Sequence, residues 1–163
     1  MGGVGLDTWV TLRRLPVAEA QVMLTARPTP AMQASWHPEY PLADTLEGLT
    51  WLFAAWQEMG GLDPHSPWWT YQLMVDGQAV GDIGFHGPPD DRGRLTIGYQ
   101  VVPAAQRRGI ATAGCGQLVA LAWAADARSL LAHVDPANRA SREVLVRNGF
   151  RSDDRRVYRI DRP

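Results

Sequence analysis

The residues best suited to chemistry stand together at Gln106-Arg107-Arg108-Gly109-Ile110-Ala111, where two cations and a glycine precede an apolar run of helical period. A strand-like segment, Leu95 to Val102, ends at Pro103, and a short loop leads into that run. The start of a helix offers backbone N–H groups with no internal partner, and its dipole favours negative charge. Gly109 has no Cβ, so a bulky anion can approach the chain closely there. Arg107 and Arg108 add guanidinium groups that reach phosphate oxygens. Ala111, Ala113 and Gly114 keep the first turns narrow. The chemistry this spacing predicts is the grip of a pyrophosphate.

Other reactive side chains are scattered. Asp82, Gly84 and His86 alternate onto one face of a predicted strand beside the Leu95–Val102 segment. His86 titrates in the range a general base needs, so it is a candidate base or acceptor-site residue; its bland alternative is a hydrogen-bonded strand-end histidine. His133 fits the core or the sheet surface better than a site. His37 and His65 lie in Pro-rich loops without an evident partner. Cys115, the single cysteine, sits in an apolar stretch and reads as a buried small side chain, not a nucleophile. No cysteine cluster and no His/Asp/Glu spacing makes a metal site, so no metal is expected. Trp36, in a Pro-rich loop, suits a pocket wall; Glu39 in the same loop reads first as a solvated carboxylate, with recognition of a cationic amine as the alternative. Trp51 and Trp56 suit core packing.

These residues need elements to position them. Trp9 to Leu12 reads as a short strand, and Val17 to Ala26 as a helix stopped near Pro28. A second helix runs from about Ala43 to Met59, with Leu46, Leu49, Phe53 and Trp56 on one stripe and Gly60-Gly61 at its end. Trp69 to Val75 and Val80 to His86 form a hairpin around Asp76-Gly77, because both central positions of a type I′ turn need positive φ. Leu95 to Val102 completes a meander. Then follow a helix from Arg107 to Ala125, a strand from Leu130 to Val134, and a helix from Arg139 to Asn148 with Gly149 at its C′ position. Two strands, near Phe150 and near Val157 to Ile160, close an α+β arrangement.

Composition sets the outer bounds. The 163 residues suit one core, and 45% hydrophobic with 20% charged residues is globular material. The formal net charge of −1 gives no electrostatic case for nucleic acid or an anionic membrane. The mixed Arg/Asp run from Arg151 to Arg162 reads as an exposed strand face. No basic-then-apolar leader opens the chain, and no stretch is long and apolar enough for a membrane span, so cytoplasm is the expected location.

In combination, these segments resemble a known family. Gln106 to Ala111 is similar to the Gln/Arg-x-x-Gly-x-Gly/Ala signature of the GCN5-related N-acetyltransferases (GNAT). Ile97-Gly98-Tyr99-Gln100-Val101-Val102-Pro103 resembles the preceding strand in the ribosomal-protein N-terminal acetyltransferases, the RimJ/RimL-like subgroup. Asn138-Arg139-Ala140-Ser141 and Asn148-Gly149-Phe150 resemble that subgroup's Asn-x-x-Ser … Gly-Phe segment. With Leu12-Arg13-Arg14-Leu15 and the Asp76-Gly77 hairpin, the resemblance covers nearly the whole chain.

The resemblance implies a single N-acetyltransferase domain over residues 1–163. Its fold would be a mixed, largely antiparallel central sheet of about six to seven strands flanked by about four helices. The sheet would splay between the Leu95–Val102 and Leu130–Val134 strands. Acetyl-CoA would lay its pantetheine arm in that gap, paired with main-chain groups of Val101 and Val102. After the signature's opening Gln106, the amides of Arg107, Arg108, Gly109, Ile110, Ala111 and Thr112 would hold the pyrophosphate. Asn138 would contact the pantetheine and Ser141 would sit near the sulfur. The implied reaction is direct attack of an amine on the thioester, the amine belonging to a small molecule or a protein N-terminus. A backbone amide near Val101 would meet the oxyanion. Dimers are common in the family, which leaves a homodimer open.

Two positions depart from the pattern. Thr96 stands where the subgroup usually carries Glu, and Leu145 where many relatives carry an acid Tyr. Ser141 is left as the candidate acid. Without a strong base, a low-pKa acceptor suits the site: neutralising a lysine amine at pH 7 costs about 4.6 kcal/mol, an α-amine only about 1–1.4 kcal/mol. The same departures suit an alternative, a catalytically weak domain of this fold that binds the coenzyme as a sensor or structural ligand.

Overall fold

The structure, a computed structural model, describes residues 9–163. The first eight residues, on which the leader-peptide expectation bears, lie outside the described residues. Six strands form one sheet in the order β1 to β6: Thr11–Arg14, Thr70–Val75, Gln78–Phe85, Arg94–Val101, Ser129–His133 and Val157–Asp161. All neighbours are antiparallel except β4 and β5. The helices are α1 (Val17–Thr25), α2 (Pro30–Ala34), α3 (Ala43–Glu58), α4 (Ile110–Ala124) and α5 (Arg139–Arg147). The fold is the expected α+β sandwich.

Local sequence explains most boundaries. Asp76 and Gly77 have φ of 49° and 77°, the pair of positive values a type I′ turn requires, and they join β2 to β3. Thr29 caps α2 through its hydroxyl, which accepts from the Met32 amide, with Pro30 at the first helical position. That short helix raises the count to five where four were expected. The strand expected near Phe150 is reduced to one bridge, Arg151 to Arg159, because Ser152 and Asp154 side chains take the next backbone amides into a turn.

The sheet separates two layers. Leu12 and Leu73 face α4 on one side. On the other, Arg13 bonds Glu19 of α1, and Asp82 accepts from Thr45 of α3. Leu49, Leu52 and Trp56 bury the inner stripe of α3. Trp51, expected in the core, is 67% exposed: it lies one position off that stripe, on the solvent face. Trp36, expected as a pocket wall, is 4% exposed. The segment around it pairs with β3, Ala79 donating to Ser35 and His37 donating back to Ala79, which draws the indole edge-on against Tyr40. Among the described residues no helix is long and apolar enough to cross a membrane.

Candidate active site

The parallel ladder between β4 and β5 runs only from Arg94/Ser129 to Ile97/Ala132. Beyond Ile97 the two strands part, and among the described residues Gly98 to Val101 pair with no strand on that side. Alternation then decides which main-chain groups are free. His86 bonds Thr96 and Val102 bonds Val80 across the β3–β4 ladder, so the intervening Tyr99 and Val101 turn their N–H and C=O toward the opening. The two expected pantetheine partners therefore separate. Val102 spends its amide on Val80 at 2.8 Å and is wholly buried, while Val101 faces the gap. Adjacent residues of a pleated strand cannot both point their amides at one edge. The signal was present in the sequence only as the parity of the strand.

Gln106 closes the end of β4, its Nε2 donating to the Val101 carbonyl at 3.0 Å. The helix expected from Arg107 begins three residues later. Arg107 and Gly109 have φ of 62° and 80°, left-handed values that cannot continue an α-helix. The result is a concave turn running straight into a helix N-terminus. Among the described residues no acceptor meets the N–H groups of Arg107, Arg108, Gly109, Ile110, Ala111 or Thr112; the first of α4 to be paired is Ala113, on Gly109. Consecutive free amides in such a turn form an anion-binding concavity. Arg107, Arg108 and Gly109 are exposed, with the Arg108 guanidinium 5.8 Å from the Trp9 ring centroid. Among the described residues no atom lies within 4 Å of where a Cβ on Gly109 would sit.

On the α4 side of the opening, Asn138 caps α5, its Oδ1 accepting from the Ser141 amide at 3.1 Å. The Ser141 hydroxyl lies 2.7 Å from the Tyr99 hydroxyl, which also donates to the Ser141 carbonyl at 3.0 Å. Burial pushes the Tyr99 pKa well above its ordinary value, with the Ser141 bond opposing, so this phenol keeps its proton. Tyr99 is the residue that sequence reasoning named in a motif and gave no role. Leu145 is fully buried against the core and faces no substrate space. Burial pushes the Cys115 thiol up to about 12, which makes it inert at neutral pH.

The opposite side carries the titratable groups. His86 stands directly across from Thr96, and its Nε2 lies 2.6 Å from where a Cβ on Gly98 would sit. A side chain at 98 would expel the ring. His86 is exposed at the strand end, and partial withdrawal of its ring from water with the neighbouring His133 lowers its pKa from the ordinary 6.5, which favours the neutral form. His133 is exposed at the end of β5. Asp82 is buried, and accepts from Thr45 at 2.6 Å and from Gln100 Nε2 at 2.5 Å. Burial raises its pKa to about 7, with the Thr45, Tyr40 and Gln100 contacts opposing. Glu39 reaches the cofactor-side loop, where its Oε2 accepts from the Ala104 amide at 3.3 Å. A separate open depression of about 700 Å³ lies along β6, lined by Arg151, Asp153, Asp154 and Arg159 among others, and shares no residue with the cradle.

A splayed parallel pair that leads through a left-handed turn into an unpaired helix N-terminus sets an open strand edge beside an anion-binding cradle, in a mixed α+β fold. The acetyltransferase (GNAT) domain family matches residues 10–151, and the chain belongs to that family. It is 29% identical over 101 residues to the uncharacterized N-acetyltransferase YoaA of Bacillus subtilis (strain 168), a match over 61% of this chain and 54% of that relative. The chain thus spans about half the length of the curated relative it matches. Its fold is shared with the ribosomal-protein-S5-alanine acetyltransferase from Vibrio fischeri, at a TM-score of 0.63 and 14% identity over 94% of this chain and 93% of that one. Mycobacterium smegmatis RimJ, solved with CoA-disulfide, gives a TM-score of 0.59 and 23% identity over 93% and 81% of the two chains. The microcin C7 self-immunity acetyltransferase MccE, solved with acetyl-CoA and AMP, gives 0.61 and 13% over 98% and 96%.

Proposed function

We propose that this protein transfers the acetyl group of acetyl-CoA directly to a primary amine, with an α-amine or another weakly basic amine as acceptor. The observation that carries this reading is the run of six unpartnered amides, Arg107 to Thr112, beside an unpaired stretch of β4. The amides suit the pyrophosphate, the free edge at Tyr99 and Val101 suits the pantetheine, and the Val101 N–H suits the developing oxyanion. Asn138 lies at the start of α5, where it can add a contact to the arm.

His86 suits the role of base. It occupies the position across from Thr96, where the resembled subgroup places a carboxylate one strand over, and it is neutral at pH 7. Ser141 suits the role of acid toward the leaving thiolate, its hydroxyl held in place by the hydrogen bond to Tyr99. Replacing Ser141 with Ala is expected to lower kcat about 100-fold, and Tyr99→Phe about tenfold. Coupling through one hydrogen bond makes the double variant no slower than Ser141→Ala, a non-additivity that steady-state thiol release measures.

The acceptor follows from proton energetics. A neutral histidine is a mild base, and about 3 kcal/mol separates a lysine amine from an α-amine at pH 7. Thiol release with peptide α-amines, lysine, aminoglycosides and polyamines is expected to favour α-amines over lysine by up to about 100-fold. A clear lysine preference overturns the acceptor assignment. The same screen with propionyl and succinyl donors defines the acyl group. Cytoplasm is the proposed location, where acetyl-CoA and nascent protein N-termini are both present.

One observation favours a second reading. Thr96 and the buried Leu145 leave two usual acid–base positions without a titratable group. Heat protection by coenzyme A with no turnover of any amine would establish a coenzyme sensor instead.

A further inference from the structure

Four polar side chains stand in one row across the sheet on the face opposite α4. Arg13, Gln72, Asp82 and Gln100 are direct cross-strand partners from β1 to β4. Arg13 donates to Gln72 Oε1 at 2.8 Å, and behind it Glu19 holds the guanidinium. Gln100 Nε2 donates to Asp82 Oδ1 and lies 3.4 Å from Thr45 Oγ1. Thr45 donates to Asp82 Oδ2 and accepts from the Leu42 amide, so its position is fixed from both sides. A buried polar row on a sheet is costly unless it holds something in place.

The row ends at Gln100, next to the opening. Its carboxamide N is anchored on Asp82, which turns the carbonyl oxygen away from β3. That Oε1 meets no donor among the described residues and is not enclosed. Gln100 lies on the stretch of β4 that pairs with no strand on its β5 side among the described residues, two residues along the same strand face from Gly98 and the His86 ring. We propose that Gln100 is the acceptor-specificity residue of the site: its carbonyl oxygen receives an N–H of the incoming primary amine, and Asp82 with Thr45 holds the carboxamide in that orientation. This rests on the transferase reading for the identity of the ligand as an amine.

The orientation depends on the charge of Asp82. An ionised carboxylate only accepts, so it holds the NH₂ end of Gln100 and leaves the oxygen outward. A protonated Asp82 offers an O–H that pulls the Gln100 oxygen inward and turns the NH₂ toward the amine, so the acceptor for the amine N–H is lost and the NH₂ instead engages the nucleophilic lone pair. The groups that face Asp82 are Tyr40 from the loop before α3, Asp44 and Thr45 from α3, Gln72 from β2 and Gln100 from β4. The Tyr40 hydroxyl and Gln72 Nε2 approach without completing a well-formed hydrogen bond, so neither outcompetes Gln100 for the carboxylate.

The test uses the full chain and a tripeptide with a free N-terminal alanine. Gln100→Met is expected to raise the KM of the tripeptide at least about tenfold, with kcat within about threefold and the Kd of coenzyme A unchanged. With the KM expressed per neutral amine, the unmodified protein is expected to show it climbing as pH falls below 7, and Asp82→Asn to lose that slope. A second readout needs no turnover and no stable variant. The side-chain NH₂ resonances of Gln100 are followed by NMR as tripeptide is added to the protein saturated with coenzyme A, and they are expected to shift. Shifts without thiol release would sink the transferase reading and keep the amine contact. An unmoved Gln100 signal, or a variant whose tripeptide KM matches the parent, overturns the proposal.

Discussion

Gly109→Val is expected to abolish coenzyme recognition while leaving the protein folded. Saturating acetyl-CoA at about 100 times its Kd stabilises a binding protein by about 2.7 kcal/mol. For a chain of this size that is a rise in Tm of about 5–10 °C. The valine variant is expected to show no rise. Two effects act together. The side chain fills the open space in front of the free amides of Arg107 to Thr112. The left-handed φ of 80° also disfavours a branched residue by about 1–2 kcal/mol, which pushes the turn out of the shape that aims those amides. Gly60→Val separates the two. Gly60 has a φ of 96° and no atom within 4 Å of a Cβ, but it ends α3 far along the chain from the cradle. It should lose a similar amount of stability and keep the full response to coenzyme. A full response in Gly109→Val would mean that the diphosphate binds elsewhere.

The second large effect concerns Asp82. Its carboxyl is buried and its pKa stands at about 7 against an ordinary 3.8. The native state therefore keeps a proton that the unfolded chain has released. Stability from this group is fully present below pH 3.8, declines as pH climbs, and is gone above about 7. Between pH 5 and 8 the loss amounts to about 2–3 kcal/mol. Asp82→Asn keeps a hydrogen-bonding side chain in the row and removes the titration. Urea unfolding at the two pH values is expected to show the variant gaining about 2–3 kcal/mol on the parent as pH goes from 5 to 8. Parallel behaviour of the two proteins would show that Asp82 is ionised at pH 5 and that the row is wet. Such a cost, retained in the native fold, is what an orienting role for Asp82 toward Gln100 would offset.

Much of the architecture is local, and local patterns were readable. Asp76-Gly77 dictates its turn because few residue pairs tolerate two positive φ values. The stripe on α3 and the glycine at 149 mark their helices from within a few residues. The anion cradle was legible for the same reason: a strand end, a glycine and a helix start follow one another in the chain. Its shape was less so. Arg107 adopts a left-handed φ that nothing in its own chemistry requests, and it delays α4 by three residues.

Register was beyond the reach of the sequence. Period-two alternation says which residues of one strand share a face, not which residue of the next strand lies opposite. Arg13, Gln72, Asp82 and Gln100 come from four strands and meet only because the ladders align them. The same alignment sets His86 across from Thr96 and turns Val101, not Val102, to the gap. It brings Tyr99 onto Ser141, forty-two positions apart. Trp36 is buried because its loop borrows Ala79 as a partner. The sequence by itself determined the elements and the cradle of free amides, since those depend on backbone preferences within a few residues. Only the tertiary structure decided the opposite face of the sheet, because that face is made of side chains whose neighbours are chosen by strand pairing.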